Sequence, residues 1–235
     1  MRIAFFGAGA MGKAAQEQAR ADGHVVGEVF RSADAGKDAA GLARRLAGHD
    51  AAIDFSVADA VPTHVAAAVG ARVPIVVGTT GWHDTEAAVR SQVEQGGGAL
   101  LYGANFSVGV NLFYRIVERA GELFGAAGYD AFIEEAHHTR KRDVPSGTAR
   151  ELARLLRRAL GRDVPIASTR AGEITGVHRV GFETQVDQIV LTHEARSRQG
   201  FARGALLGAR WLAGRRGVFT FAEALDDILL LERRS

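Results

Sequence analysis

Residues 1–30 read MRIAFFGAGAMGKAAQEQARADGHVVGEVF, and this stretch decides the fold of the first half of the chain. Arg2–Phe6 is an apolar run of strand length, Met11–Ala21 has the spacing of a helix, and His24–Phe30 reads as a second strand. Between the first strand and the helix stands Gly7-Ala8-Gly9-Ala10-Met11-Gly12. A G-x-G-x-x-G that leaves a strand and opens a helix is a dinucleotide-binding fingerprint. Gly7 allows the tight turn, Gly9 lets a pyrophosphate approach the backbone, and Gly12 permits close packing of helix on strand. An ordinary turn in a glycine-rich chain is the competing reading, and the strand–helix–strand setting weighs against it.

The same alternation continues beyond residue 30. Asp38–Ala47 reads as helix, Ala51–Phe55 as strand, Pro62–Val69 as helix, Pro74–Gly78 as strand, Asp84–Glu94 as helix and Ala99–Tyr102 as strand. The expected fold class is therefore α/β, with five strands in a Rossmann-type, doubly wound parallel sheet. After Asn105 the pattern changes. A long helix, Val108–Phe124, precedes a strand at Ala131–Ala136, a helix at Thr148–Leu160, and antiparallel strands around His178–Glu183 and Gln188–His193. Phe201–Leu212 is helical and Val218–Leu231 closes the chain. The expected organisation is a dinucleotide-binding domain of residues 1–107 with 198–235, and a smaller α+β domain of residues 108–197 for substrate binding and oligomerisation.

Coenzyme choice is written at the end of the second strand. An acid there would read the ribose 2′-hydroxyl of NADH, yet the chain runs Glu28-Val29-Phe30-Arg31-Ser32. Arg31 can accept a 2′-phosphate, Ser32 can add a hydrogen bond, and Lys13 lies nearby, so NADPH is favoured over NADH. Glu28 competes for the ribose but stands two residues early. Gly78-Thr79-Thr80-Gly81 follows the fourth strand and Gly103-Ala104-Asn105-Phe106-Ser107 the fifth, with Asp54-Phe55-Ser56 ending the third. Small residues beside hydroxyl and amide groups at one sheet edge suit a flat nicotinamide ring, which nominates Gly78, Thr79, Thr80, Gly103, Ala104, Asn105 and Phe106.

Glu135-Ala136-His137-His138-Thr139-Arg140-Lys141-Arg142-Asp143-Val144-Pro145-Ser146-Gly147-Thr148-Ala149 holds the chemistry. A helix opening on Ser146-Gly147-Thr148 aims backbone N–H groups outward and binds a small anion. Lys141 follows His137 by four residues, bringing a cation and a group titrating near neutrality to one ligand. A metal site is a poor reading: adjacent strand histidines point to opposite faces, and no ready set of carboxylates adjoins them. Asp143 is better placed to orient Lys141 or the loop, and His64, His83, His178 and His193 read as structural or exposed.

Composition narrows the function classes. The 235 residues include no cysteine, which removes thiol catalysis, disulfides and thiolate metal sites, and suits a cytoplasmic protein. Net charge is +2, and the arginine pairs Arg44-Arg45, Arg157-Arg158, Arg215-Arg216 and Arg233-Arg234 are scattered without interleaved aromatics. They read as solvated helix faces or ends, so nucleic-acid binding is not expected. No run approaches the ~18 apolar residues of a membrane span.

The chain resembles the dihydrodipicolinate reductase family over nearly its whole length. The resemblance is carried by GAGAMG at residues 7–12, DFS at 54–56, GTTG at 78–81, ANFSVGVN at 104–111, EAHHTRKRDVPSGTA at 135–149 and THEARSRQGFARGA at 192–205. It implies NAD(P)H-dependent reduction of a cyclic imine bearing two carboxylates, in lysine and diaminopimelate biosynthesis, by a homo-oligomer that is usually a tetramer. It also implies that His138, Lys141, Ser146, Gly147 and Thr148 hold substrate, that His137 gives or takes a proton, and that Lys141 donates one. Three departures stand out: the glycine loop lacks an extra residue found in many members, Phe30 replaces the second-strand acid, and the region between the later strands is short. A Rossmann oxidoreductase acting on another small imine or amino acid, and a non-catalytic dinucleotide sensor, are the other readings.

Overall fold

The computed structural model describes residues 1–31, 34 and 38–232, with the side chains of Leu231 and Glu232 excepted. Ser32 and the Arg233-Arg234 pair, singled out above, lie outside the described residues. The chain divides into two compact units, residues 1–107 with 198–235 and residues 108–197.

In the first unit, β1 (Arg2–Phe6), β2 (Val25–Phe30), β3 (Ala51–Asp54), β4 (Ile75–Val77) and β5 (Ala99–Tyr102) alternate with α1 (Ala10–Ala21), α2 (Ala39–Leu46), α3 (Val61–Ala71) and α4 (Glu86–Gln95). The unit is completed by α7 (Gln199–Leu212), β10 (Gly217–Thr220) and α8 (Phe221–Glu232), in chain order after the second unit's α5 (Val108–Ala126), β6 (Asp130–His137), α6 (Gly147–Leu160), β7 (Ile166–Arg170), β8 (Val177–Glu183) and β9 (Gln188–Glu194). Among the described residues, six strands form one parallel sheet in the order β10-β5-β4-β3-β1-β2. The doubly wound parallel expectation is correct, but the sheet has a sixth strand. Val218–Leu231 resolves into strand β10 followed by helix α8, where the sequence pattern had defined neither.

Parallel strands are buried on both faces, and the inner strands β1, β3, β4 and β5 follow that rule. Ala4, Phe6, Ala52, Ile75, Val77 and Leu100 share one core with Leu42, Val65, Val89 and Val93 of α2, α3 and α4. Ile3, Phe5, Ile53, Val76 and Leu101 are equally buried and alternate with them along the strands, so they face the other side. There α7 packs on β3, β4 and β5. Its approach depends on small residues: a Cβ on Gly204 would overlap the carbonyl oxygen of Phe106, and one on Gly208 would meet Leu101 Cδ2 at 2.5 Å.

Strand order reverses beside β1, since β2 lies on one flank and β3 on the other. The carboxyl ends of β1 and β3 flank the crevice where doubly wound sheets bind ligands.

The second unit pairs strands in the order β7-β6-β8-β9, with β6 parallel to β7 and antiparallel to β8. The two antiparallel strands match the sequence pattern; β7 is an addition. Phe113 and Val117 of α5 and Leu152 and Leu156 of α6 cover one sheet face, packing on Ile133, Val180 and Phe182.

Gly204→Ala should lower stability by about 1–3 kcal/mol, the usual cost of overpacking, because its new methyl meets backbone. Urea unfolding measures it, and an unchanged midpoint would contradict this packing.

Candidate active site

The cofactor end is built by backbone contacts between loops leaving neighbouring strands. Gly7 N–H donates to Phe30 O at 2.9 Å, Phe55 N–H to Phe6 O at 2.9 Å, and Gly78 N–H to Asp54 O at 2.9 Å. A Cβ on Gly7, where φ is +99°, would overlap Phe55 O, and one on Gly12 would overlap Gly7 O. At Gly9 a Cβ would meet nothing within 4 Å. Gly9 is the N-cap of α1 and no side chain caps it there. The loop is therefore closed on its sheet side and open above the helix start. That is the shape a pyrophosphate requires of this loop, and the residues present fit a dinucleotide.

Beneath this edge lies a buried polar knot. The Asp54 carboxylate accepts from Ser56 Oγ at 2.6 Å and Thr79 Oγ1 at 2.8 Å, and His64 Nδ1 lies 2.7 Å from its other oxygen. Ser56 N–H donates to Thr79 Oγ1 at 2.8 Å. The Thr79 hydroxyl is thus committed inside the protein, while Thr80 and Ala104 are exposed. Asn105 Oδ1 accepts from Ser107 N–H at 2.9 Å, folding the loop after β5. Phe106 is buried against Phe221, with ring centroids 4.7 Å apart. Of the nominated residues on these loops, Thr79 and Phe106 therefore have their side chains committed inside the protein.

Arg31 is exposed directly after β2, and its N–H donates to Asp34 Oδ2 at 2.9 Å. Glu28 forms an ion pair with Arg45, which also binds Asp34 Oδ1 at 2.6 Å. The acid that competed for the ribose is engaged elsewhere.

In the second unit, Glu135 and His137 lie two residues apart on β6 and share a face. Glu135 is 2% exposed, and its carboxylate organises everything around it. Arg170 on β7 binds both its oxygens, at 2.7 and 3.0 Å, and donates to Asp143 O at 2.6 Å. His137 Nδ1 donates to Glu135 Oε2 in a short hydrogen bond, and Ser146 N–H lies 3.3 Å from Oε1. Burial works to raise the Glu135 carboxyl, but Arg170, then Ser168 and His137, outweigh it and hold it at about 2. His137 is lowered by its burial, against the opposing pull of Glu135.

Because a carboxylate only accepts, His137 Nδ1 carries the proton and Nε2 is the group left for chemistry. A Cβ on Gly176 would stand 3.1 Å from that nitrogen, so the glycine keeps it open. Ser146 caps α6, accepting from Ala149 N–H at 3.2 Å. Its Oγ also lies 3.0 Å from His178 Nε2. Gly147 is exposed at the first turn, with Thr148 partly exposed beside it. Lys141 Nζ pairs with Asp143 at 2.8 Å, and the Lys141 N–H donates to His138 O at 3.1 Å. His138 is partly buried.

The metal argument needs correction, because a carboxylate does adjoin His137. Glu135, His137 and His178 each offer a ligand atom within 4.8 Å of one another, a spacing that could hold an ion. The Arg170 guanidinium occupies both carboxylate oxygens, so an ion would have to displace a fixed cation. His178, read as structural or exposed, is buried beside Ser146 and the His137 ring, whose centroid is 5.1 Å away. Sequence reasoning missed Arg170 altogether and assigned Glu135 no role. The i, i+2 spacing of Glu135 and His137 on a strand was a usable signal; nothing local marked Arg170.

Family models described as dihydrodipicolinate reductase, N-terminus, and dihydrodipicolinate reductase, C-terminus, match residues 1–106 and 109–225. A protein of Christiangramia forsetii named 4-hydroxy-tetrahydrodipicolinate reductase is 35% identical over 97% of this chain and 99% of its own length. One of the same name from Laribacter hongkongensis is 37% identical over 77% of this chain and 74% of its own. Among solved structures, a dipicolinate-bound dihydrodipicolinate reductase from Paenisporosarcina sp. TG-14 superposes with a TM-score of 0.77 at 18% identity, covering 94% of this chain and 98% of that one. An amine dehydrogenase from Mycobacterium smegmatis reaches 0.64 at 10% identity over 95% of each chain, a likeness of fold. With both halves matched and a relative aligned end to end, the chain belongs to the dihydrodipicolinate reductase family of oxidoreductases.

Proposed function

We propose that this protein reduces dihydrodipicolinate, formed from 4-hydroxy-tetrahydrodipicolinate, to tetrahydrodipicolinate with NAD(P)H, as a step of lysine and diaminopimelate biosynthesis. The observation that carries this reading is the Glu135–His137 pair beside the Lys141–Asp143 pair at the start of α6. A cyclic dicarboxylate needs cations, an anion-binding turn and a proton source, and this segment has all three. The nicotinamide, when bound, supplies a hydride to the ring.

The chain's own residues do the rest. Ser146, Gly147 and Thr148 form the start of α6, which holds one carboxylate with the help of the helix dipole. His138 and Lys141 add side-chain contacts, and Lys141 brings an ammonium positioned by Asp143. His137 Nε2 is unprotonated near neutrality in the free protein, because burial lowers it. A dianionic ligand beside it favours the protonated form, so substrate arrival loads the site with a proton. Glu135 fixes the ring so that this proton sits on the ligand side. The ring gains one proton, beside the reduced carbon: Lys141 is its donor, and His137 gives or takes a proton in exchange with Lys141.

On the cofactor side the binding residues are Gly7, Ala8, Gly9, Ala10, Met11 and Gly12, Arg31, the Gly78–Thr80 loop and the Gly103–Phe106 loop. NADPH is the preferred coenzyme, supported by exposed Arg31 and by the engagement of Glu28 with Arg45. The protein assembles as a homotetramer through the sheet of the second unit. Support comes from its uncovered face, where the Phe132 ring packs over Gly181 and Val190 is 44% exposed. No helix among the described residues is long and apolar enough to cross a membrane, and the cysteine-free composition suits a reducing cytoplasm.

Coenzyme oxidation, with the unstable substrate generated in place by its synthase, tests the reaction. Wild type should turn over, and Lys141→Ala should lose about 10²–10⁴-fold in kcat, the usual worth of a positioned proton donor. Failure of the wild type to oxidise either coenzyme would overturn the assignment. For the coenzyme, Arg31→Ala should raise the KM for NADPH far more than that for NADH. Equal effects on both would remove the 2′-phosphate role.

A further inference from the structure

His178 is 5% exposed on β8, and it stands across the strand pair from His193 of β9. Its Nε2 lies 3.0 Å from Ser146 Oγ, while its Nδ1 is buried with no hydrogen-bond partner among the described residues. The groups acting on it are His137, Glu135, His193 and Lys141. Burial, with His137 next, brings His178 down to about 4, so the ring is neutral near pH 7 and carries one N–H. That proton sits on either Nδ1 or Nε2, and the choice decides what Ser146 can do.

With the proton on Nδ1, a buried N–H donor is orphaned, a rare and costly arrangement. Ser146 Oγ–H would then have to donate back to His178 Nε2, and its hydrogen would be used inside the protein. With the proton on Nε2, only a lone pair at Nδ1 lacks a partner. Ser146 Oγ then accepts twice, from Ala149 N–H at 3.2 Å and from His178 Nε2–H at 3.0 Å. A hydroxyl oxygen has two lone pairs, so both are filled and its own hydrogen must point elsewhere.

We propose that His178 is a positioning residue: its Nε2–H donates to Ser146 Oγ and turns the Ser146 hydroxyl hydrogen toward a ligand carboxylate at the start of α6. This rests on the substrate-binding reading given above. His178 touches no reacting atom in this arrangement; it fixes the hydrogen-bonding sense of a residue that does.

Two measurements test it. Long-range nitrogen–proton NMR correlation on the unmodified protein reads the tautomer directly, and Nε2–H is expected. Calorimetric titration with dipicolinate reads the consequence. His178→Leu should weaken binding about tenfold, and His178→Gln, whose amide N–H stands near the place of Nε2, should restore it to within about threefold. In a Ser146→Ala background the His178→Leu change should have no further effect. A protein that binds dipicolinate with His178 protonated at Nδ1, or a His178→Leu loss undiminished in the Ser146→Ala background, overturns the proposal alone. Wild type that leaves dipicolinate unbound overturns the substrate reading and the ligand role of Ser146 with it.

Discussion

A single buried carboxylate, Glu135, sets the geometry on which the second unit's chemistry depends. Removing a carboxylate from water costs several kcal/mol, and a buried ion pair recovers this only when its geometry is good and its remaining lone pairs are filled. Here the filling is nearly complete: Arg170 by two oxygens, His137 by one, and the Ser146 amide at the edge. Each partner comes from a different place in the chain. Arg170 ties β7 to β6, Ser146 ties the start of α6, and His137 is held through Nδ1 with Nε2 left outside the bond. The same Arg170 also reaches Asp143 O, so the loop carrying Lys141 is held by the ion pair that orients the histidine.

The sign of the pH effect follows from the direction of the shift. Glu135 is held down at about 2 in the fold, below its ordinary 4.5, so its contribution is fully present above that ordinary value. It is lost as pH falls toward 2, and amounts to something on the order of 3 kcal/mol. His178 adds to the same trend higher up the scale. Its neutral form is kept by burial, so stability declines as pH falls from about 6.5 towards 4, where the unfolded chain takes up a proton that the fold refuses.

In the first unit the organising contacts are of backbone rather than charge. Gly7 lies against Phe55 O, Gly12 against Gly7 O, and the Phe55 ring against Gly78. The glycine fingerprint was legible because these approaches admit no side chain, and the apolar runs of β1, β3, β4 and β5 were legible because both faces of those inner strands are buried. Strand β10 was not, since Gly217–Thr220 is short and only partly buried, and it pairs with β5 from far along the chain. Likewise β7 reads Ile-Ala-Ser-Thr-Arg, a polar run on an edge strand, so Arg170 had no local pattern to mark it. The histidine–lysine segment and the helix start at Ser146 could be read directly. What could not be read was pairing: His178 joins Ser146 only because β8 lies against β6. Thr79 shows the same limit in reverse, since a hydroxyl in a cofactor loop turns out to serve buried Asp54.

The most direct measurement is carbon-13 NMR of the Glu135 side-chain carboxyl, assigned by comparison with Glu135→Gln, followed as pH is lowered from 7. If Glu135 is the buried anion that Arg170 and His137 surround, its resonance stays that of a carboxylate until the protein unfolds or pH nears 2. A resonance that titrates in the folded protein near 4.5 would mean that the carboxylate is not held by its partners, and the construction of the site around it would be wrong.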